Sequence, residues 1–313
     1  MSPAIDPHSS DAAPSSTRRP SSQAPRDSLS LRDENQEMLA RQLQLIPLEC
    51  RHIYISPTHT ANIVRDVIGS ASFSPHQPYL YFQGAGLAEA EALDKALQHR
   101  QVRRAARLTF EGPSNQLIIR LTPGREHETA GVEFWYELRG KIAAIPMHTS
   151  RSVIGLGAER IIVPGERSKE GDQAIAPAAR AAQSNPWPSV VVEVGYSETL
   201  NQLHIDAEWW LKNFEGRTRF VVLLSVNRDP NKIVIEGWRM LPLNRLNRHT
   251  PPLVPRCEQR FDIDAGGIVT SSLNQLTIPY ASVFDEPHPN STDVIFTTAE
   301  LSSFALWLYS QWI

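Results

Sequence analysis

The sequence predicts a mixed α/β fold of the α+β kind, with a mixed sheet flanked by helices, and three observations support this. Residues 188–196 read PSVVVEVGY, a nearly continuous apolar run of the kind buried on both faces of a sheet. An amphipathic helix, LNQLHIDAEWWLKNFEG, follows it directly. Two more apolar stretches, RFVVLLSV and KIVIEGW, are joined by the turn-rich NRDPN. With the helix and strands read upstream, the order over residues 126–240 is helix, strand, strand, buried strand, helix, strand, strand, a sheet whose centre is covered by helices.

The elements follow in chain order. Residues 1–35 are rich in Ser, Pro and Ala and nearly free of large apolar groups, so they bury too little surface to offset their ordering entropy and read as a disordered tail. Residues 36–124 read as an extension packed on the core. It opens with a helix, ENQEMLARQLQLI, that places Met38, Leu39, Leu43 and Ile46 along one side. A short helix over 61–68, an aromatic strand PYLYFQG, an Ala-rich helix over 88–107 and a strand QLIIRLTP complete this part.

Residues 125–245 form the core. The stretch EHETAGVEFWYELRGKI has Val132, Trp135, Leu138 and Ile142 at helical spacing. SVIGLGAERIIVPG reads as one strand or a hairpin, and KEGDQAIAP as a short strand entered from a turn. In the helix after the buried strand, Leu200, Leu203, Ala207, Trp210, Leu211 and Phe214 share the core stripe, and Gly216 is a natural C-terminal cap. Lys212 lies opposite Asp206 and pairs on the surface with Glu208, while Ser197 and Thr199 read as helix caps. Residues 246–313 read as Pro-rich loops around QLTIPYASVF and end in a helix, AELSSFALWLYSQWI, whose Thr-Thr-Ala-Glu start resembles a capping box.

Composition limits the function classes. Charged residues make up 21% and hydrophobic residues 41% of the 313, with a net charge of −3, so any nucleic-acid surface must be a local basic patch. Cys50 and Cys257, the two cysteines, make no disulfide framework and lack metal-ligand spacing. The first residues carry no apolar signal segment, and no apolar run is long enough to span a bilayer. The expectation is an intracellular protein of nucleus or cytoplasm, neither secreted nor membrane-bound. His127 and His204 read as structural or surface histidines, and Trp209, Trp210 and Trp238 as core.

One residue stands out. Glu193 lies within the valine run, on the face shared with Val191 and Gly195, while Val190, Val192 and Val194 take the other. A carboxylate there is costly unless it is paired, hydrogen-bonded or bound to a cation. Two arrangements meet that demand. Glu193 could share a divalent ion, Mg²⁺ or Mn²⁺, with Asp172 on a neighbouring strand, or it could sit near the strand end and pair with an arginine.

KEGDQAIAP, PSVVVEVGYSET and LHIDAEWWL together resemble the PD-(D/E)XK superfamily of restriction-endonuclease-like proteins, above all its fungal branch. A related bacterial group has a similar buried-strand Glu, nearby Ser and helix Asp. The resemblance covers about residues 125–240 and implies a core of helix, three strands, helix and strand. It implies Asp172 and Glu193 as ligands of Mg²⁺ or Mn²⁺, with Glu128 as the first-helix acid and Glu133 as its substitute. The chain departs from the pattern at the lysine. Gly195 stands at the motif position, Trp210 stands where the bacterial group carries its lysine, and Gly171 replaces the motif proline. Lys169, three residues before Asp172, is the remaining candidate, although strand alternation puts it on the opposite face. The implied activity is metal-dependent phosphodiester hydrolysis of DNA or RNA; the alternative is a nuclease fold without chemistry that serves as a binding or interaction module.

Overall fold

The computed structural model describes residues 28–70, 78–121, 125–163, 167–183, 186–196, 200–213, 216–228, 230–243, 251–288 and 291–311. It is a mixed α/β protein with two large mixed sheets flanked by helices. The reading of residues 1–27 as disordered lies outside the described residues.

The chain begins with α1 (Ser28–Leu45), β1 (Arg51–Ile53), α2 (Pro57–Ile68), β2 (Tyr79–Gln83), α3 (Ala90–His99), β3 (Ala106–Glu111), β4 (Gln116–Leu121) and α4 (Arg125–Ala144). It continues with β5 (Val153–Gly155), β6 (Arg160–Val163), β7 (Arg167–Glu170), β8 (Gln173–Pro177), β9 (Val190–Tyr196), α5 (Leu200–Asn213), β10 (Phe220–Arg228) and β11 (Asn231–Pro242). It ends with β12 (Leu253–Asp264), β13 (Val269–Thr270), β14 (Gln275–Ile278), α6 (Tyr280–Val283), β15 (Val294–Thr297) and α7 (Thr298–Ser310).

The first sheet runs β1-β2-β4-β3-β7-β6, the second β13-β12-β11-β10-β9-β8-β5, and β14 pairs with β15. Helices α2 and α3 cover one face of the first sheet through Val64, Leu93 and Leu97. Its other face meets α1 through Tyr79, Tyr81 and Ile118. Helix α5 packs on one face of the second sheet with Leu203, Ala207 and Trp210, and α4 and α7 cover the opposite face with Phe134, Leu138, Phe304 and Leu308. Helices α1 and α5 therefore lie between the two sheets, joined by Asn35–Asn213 side-chain hydrogen bonds and a two-pronged Arg41–Glu208 pair.

Several sequence expectations need correction. The strand-or-hairpin at 152–165 is two strands in different sheets, β5 and β6. KEGDQAIAP also divides, with β7 in the first sheet and β8 in the second, and Gly171 and Asp172 as the link. The core strands thus lend β6 and β7 to the sheet built by the preceding extension. The Ala-rich helix stops at His99 rather than continuing to residue 107. Gln101 turns the chain with φ +60 and β3 begins at Ala106, because the tertiary pairing of RLTFE with β4 overrides local propensity. Residues 253–264, read as loop, form the long β12, whose exposed charges and Pro255 conceal its alternation. Helix α1 starts at Ser28, six residues earlier than the pattern indicated.

Other expectations hold. Val190, Val192 and Val194 face α4, and Val191 faces α5. Lys212 pairs with Glu208 at 3.6 Å, and Gly216 takes φ +75 after α5. Ser197, Thr199 and Phe214 lie outside the described residues. No helix among the described residues is long and apolar enough to cross a membrane. Thr297 and Glu300 close the expected capping box on α7. Thr297→Ala is expected to lower stability by about 1 kcal/mol in urea unfolding, and an unchanged midpoint would show that the box contributes nothing.

Candidate functional site

The link between the sheets places Asp172 beside the buried strand. Strand β8 pairs with β9 from Gln173, opposite Val192, up to Ile175, opposite Val190. One residue before that ladder, the Asp172 carboxylate replaces the missing backbone partner, and its Oδ2 accepts the N–H of Val194 at 2.8 Å. Glu193 is the fourth of the seven residues of β9, not a strand-end residue, and is wholly buried. Its side chain emerges on the α5 side, as alternation requires.

The predicted carboxylate pair is thus assembled, and Arg120 of β4 stands between its members. Arg120 Nη2 donates to Asp172 Oδ2 at 2.5 Å and to Glu193 Oε2 at 2.8 Å. Its Nη1 lies 3.6 Å from Asp206 Oδ2 on α5. The arginine partner left open in the sequence is therefore the one present. Trp210 donates its indole N–H to Glu193 Oε1 at 2.5 Å, so the residue at the displaced-lysine position does reach the site, as a neutral donor.

Lys169 also reaches the cluster. Because it belongs to β7 in the other sheet, alternation relative to Asp172 does not govern it, and its Nζ pairs with Asp206. Glu128, on the first turns of α4, stands at the rim with its side chain half exposed and accepts from Arg107 Nη2 at 2.7 Å. Arg107 Nε in turn lies 3.3 Å from Asp172 Oδ1. Glu128 is thus connected to the acids through an arginine and touches neither of them. Glu133 has no hydrogen bond or ion pair to the cluster; it lies on the same helix as Glu137, whose carboxyl is raised by burial, with Glu300 and Glu133 adding to the rise. His127 packs inward, its Nε2 donating to the carbonyl of Val194 at 2.8 Å and lying 3.3 Å from Asp172 Oδ2.

Burial and neighbours drive the two acids apart. Burial alone would raise Asp172, but Arg120, His127 and Arg107 outweigh it and hold the carboxyl well below its ordinary value. Glu193 is raised to about 7 by burial, with Asp172 and Asp206 adding to the rise and Arg120 and Lys169 opposing it. The pair therefore combines one firmly ionised carboxylate with one that titrates near neutrality.

Two carboxylates are a suitable oxygen set for a hard divalent ion. The guanidinium nevertheless lies within hydrogen-bonding distance of both. Among the described residues, no group of three or more His, Cys, Asp or Glu side chains is arranged to hold a metal ion. A divalent ion does not fit the site while Arg120 remains there.

Gly171 has a local reason. A Cβ on it would meet Trp210 Cζ2 at 3.2 Å and Val191 Cγ1 at 3.4 Å, with Glu193 Oε1 at 3.7 Å. Gly171→Ala is expected to cost about 1 kcal/mol through overpacking, read as a lower urea midpoint; equal stability would mean that the indole yields freely. Sequence reasoning missed Arg107 and Arg120, read Trp210 as core at the displaced-lysine position, and classed His127 as structural or surface. The one available signal was Arg120 itself, a charge inside the apolar strand QLIIRL. A search of protein-family models gives no match to this sequence, and a search of curated proteins gives none either.

Proposed function

We propose that residues 125–240 are a nuclease-like core of the PD-(D/E)XK type, and that in this closed arrangement the protein acts as a binding module rather than a phosphodiesterase. The reading of the core rests on α4, β5, β8, β9, α5 and β10, which give helix, three strands, helix and strand within one sheet. Asp172, one residue before the second of these strands, and Glu193 within the third correspond to the motif positions. The absence of hydrolysis rests on one observation, the Arg120 guanidinium bridging the two carboxylates. The partner class is DNA or RNA, as the superfamily resemblance implies.

A second reading, a latent hydrolase dependent on Mg²⁺ or Mn²⁺, is favoured by Lys169, which lies beside Asp206 and close enough to Glu193 to influence it. A panel of labelled single- and double-stranded DNA and RNA, with each metal, separates the two. The binding module retains oligonucleotide without cleaving it. Cleavage lost in Asp172→Asn and Glu193→Gln would establish the hydrolase. Failure to retain or to cleave any of these oligonucleotides would remove nucleic acid as the partner.

A further inference from the structure

We infer that the first sheet is an internal inhibitor of the second, with Arg120 acting as the cation that closes the acid pair. This inference rests on the nuclease-like reading of the core.

Neither side of the contact is balanced alone. On the first sheet, Arg107 and Arg120 are direct partners across β3 and β4, and Lys169 stands opposite Thr109 in the adjoining register. Like charges directly across a ladder repel, and each must find an anion when buried. The neighbouring positions on this face hold Tyr79, Tyr81, Ile118 and Thr109, and its other charges, Arg167 and Glu111, pair with each other at 3.4 Å, so Arg107, Arg120 and Lys169 are three cations in excess of the acid that this face itself carries.

The acids are unbalanced in the opposite sense. Asp172, Glu193 and Asp206 come from the link into β8, from β9 and from α5, and all three are buried. Their arginine and lysine partners, Arg107, Arg120 and Lys169, all come from the first sheet. His127, on α4, and the Trp210 indole, on α5, are partners from the acids' own side. Opposite charges are thus segregated between two layers, as at a docked interface. Within it, Arg120 Nη2 spans one oxygen of each carboxylate, satisfying the atoms through which a divalent ion would be held. Arg107 and the half-exposed Glu128 form the outer side of the same contact.

The test uses the full chain. Arg120→Met removes the charge and keeps the stem. Arg120→Met with Asp206→Asn removes one charge of each sign and leaves Asp172, Glu193 and Lys169 in place. Mn²⁺ binding is followed by calorimetry and electron paramagnetic resonance, folding by near-ultraviolet circular dichroism, and cleavage with labelled DNA and RNA.

The expected result is no Mn²⁺ bound at the cluster in the wild type. The double variant should gain one Mn²⁺, bound at least about tenfold more tightly than any wild-type site and lost again on Glu193→Gln. A variant that folds only with Mn²⁺ present also supports closure. A folded double variant without that gain overturns the inference, and so do variants that fold neither with nor without Mn²⁺. Wild type that binds Mn²⁺ through Glu193 overturns it as well. Mn²⁺ gained without cleavage leaves closure standing and removes the latent hydrolase. Cleavage by wild type, abolished by Glu193→Gln, removes closure and keeps the hydrolase.

Discussion

Arg120→Ala is expected to lower the free energy of unfolding by about 3–5 kcal/mol, the cost of leaving buried charges without their partner. The side chain is 6% exposed and holds Asp172 at 2.5 Å and Glu193 at 2.8 Å, with Asp206 at 3.6 Å. None of these acids can recover hydration when the guanidinium is removed, because each is itself buried. The surface pair Arg41–Glu208 provides the contrast. Its contact is equally short, 2.6 Å, but the arginine side chain is 43% exposed, so Arg41→Ala should cost only about 0–1 kcal/mol. Urea unfolding of both variants measures the difference. Pairing Arg120→Ala with Glu193→Gln should give a combined loss smaller than the sum of the single losses, by about 0.5–3 kcal/mol. If Arg120→Ala costs no more than Arg41→Ala, the cluster is more hydrated than its burial implies, and its acids do not depend on the arginine.

Much of the second sheet was legible because its signals are local. The valine run of β9, the α5 stripe and the turn between β10 and β11 each lie within one short stretch of sequence. The capping box of α7 was visible for the same reason. The site was half legible. Glu193 stood out because an isolated carboxylate in an apolar strand demands a partner, and Asp172 was close enough in sequence to be considered. The partner present, Arg120, lies 73 residues away in another sheet. Periodicity cannot register such a contact, because strand order between distant segments is decided by packing and leaves no local trace.

The misreading of KEGDQAIAP shows the same limit at short range. Read as one strand, it puts Lys169 and Asp172 on opposite faces. Divided between two sheets, it brings the lysine to Asp206 and the aspartate to Val194 N–H, in one cluster. The link at Gly171 lies against the Trp210 indole. Gly171 and Trp210, two of the three departures from the motif, are thus neighbours in space, and Trp210 supplies the hydrogen bond on the side of Glu193 away from Arg120.

Raising the pH from about 4.5 to about 7 is expected to remove about 3 kcal/mol of stability through Glu193 alone. The folded-state value, about 7, lies above the ordinary 4.5, so the native protein holds this proton more tightly than the unfolded chain does. The contribution is complete below 4.5 and is lost as pH rises through 7. Asp172 acts in the opposite sense. Its depressed value makes it stabilising above about 3.8, and that contribution is lost as pH falls further. The cluster therefore favours the folded state most strongly in mildly acid solution. Glu193→Gln isolates the first effect, since it fixes this position as neutral at every pH. Its absolute stability should be lower than that of the wild type in mild acid, because the amide nitrogen cannot accept from Trp210 or Arg120, whereas both oxygens of the protonated carboxyl still can. The wild-type advantage over the variant should then shrink by about 3 kcal/mol across the interval. Parallel profiles from urea unfolding would show that Glu193 is ionised in the native state throughout. The ion bridge to Arg120 would then be fully charged at mildly acid pH, rather than only as neutrality is approached.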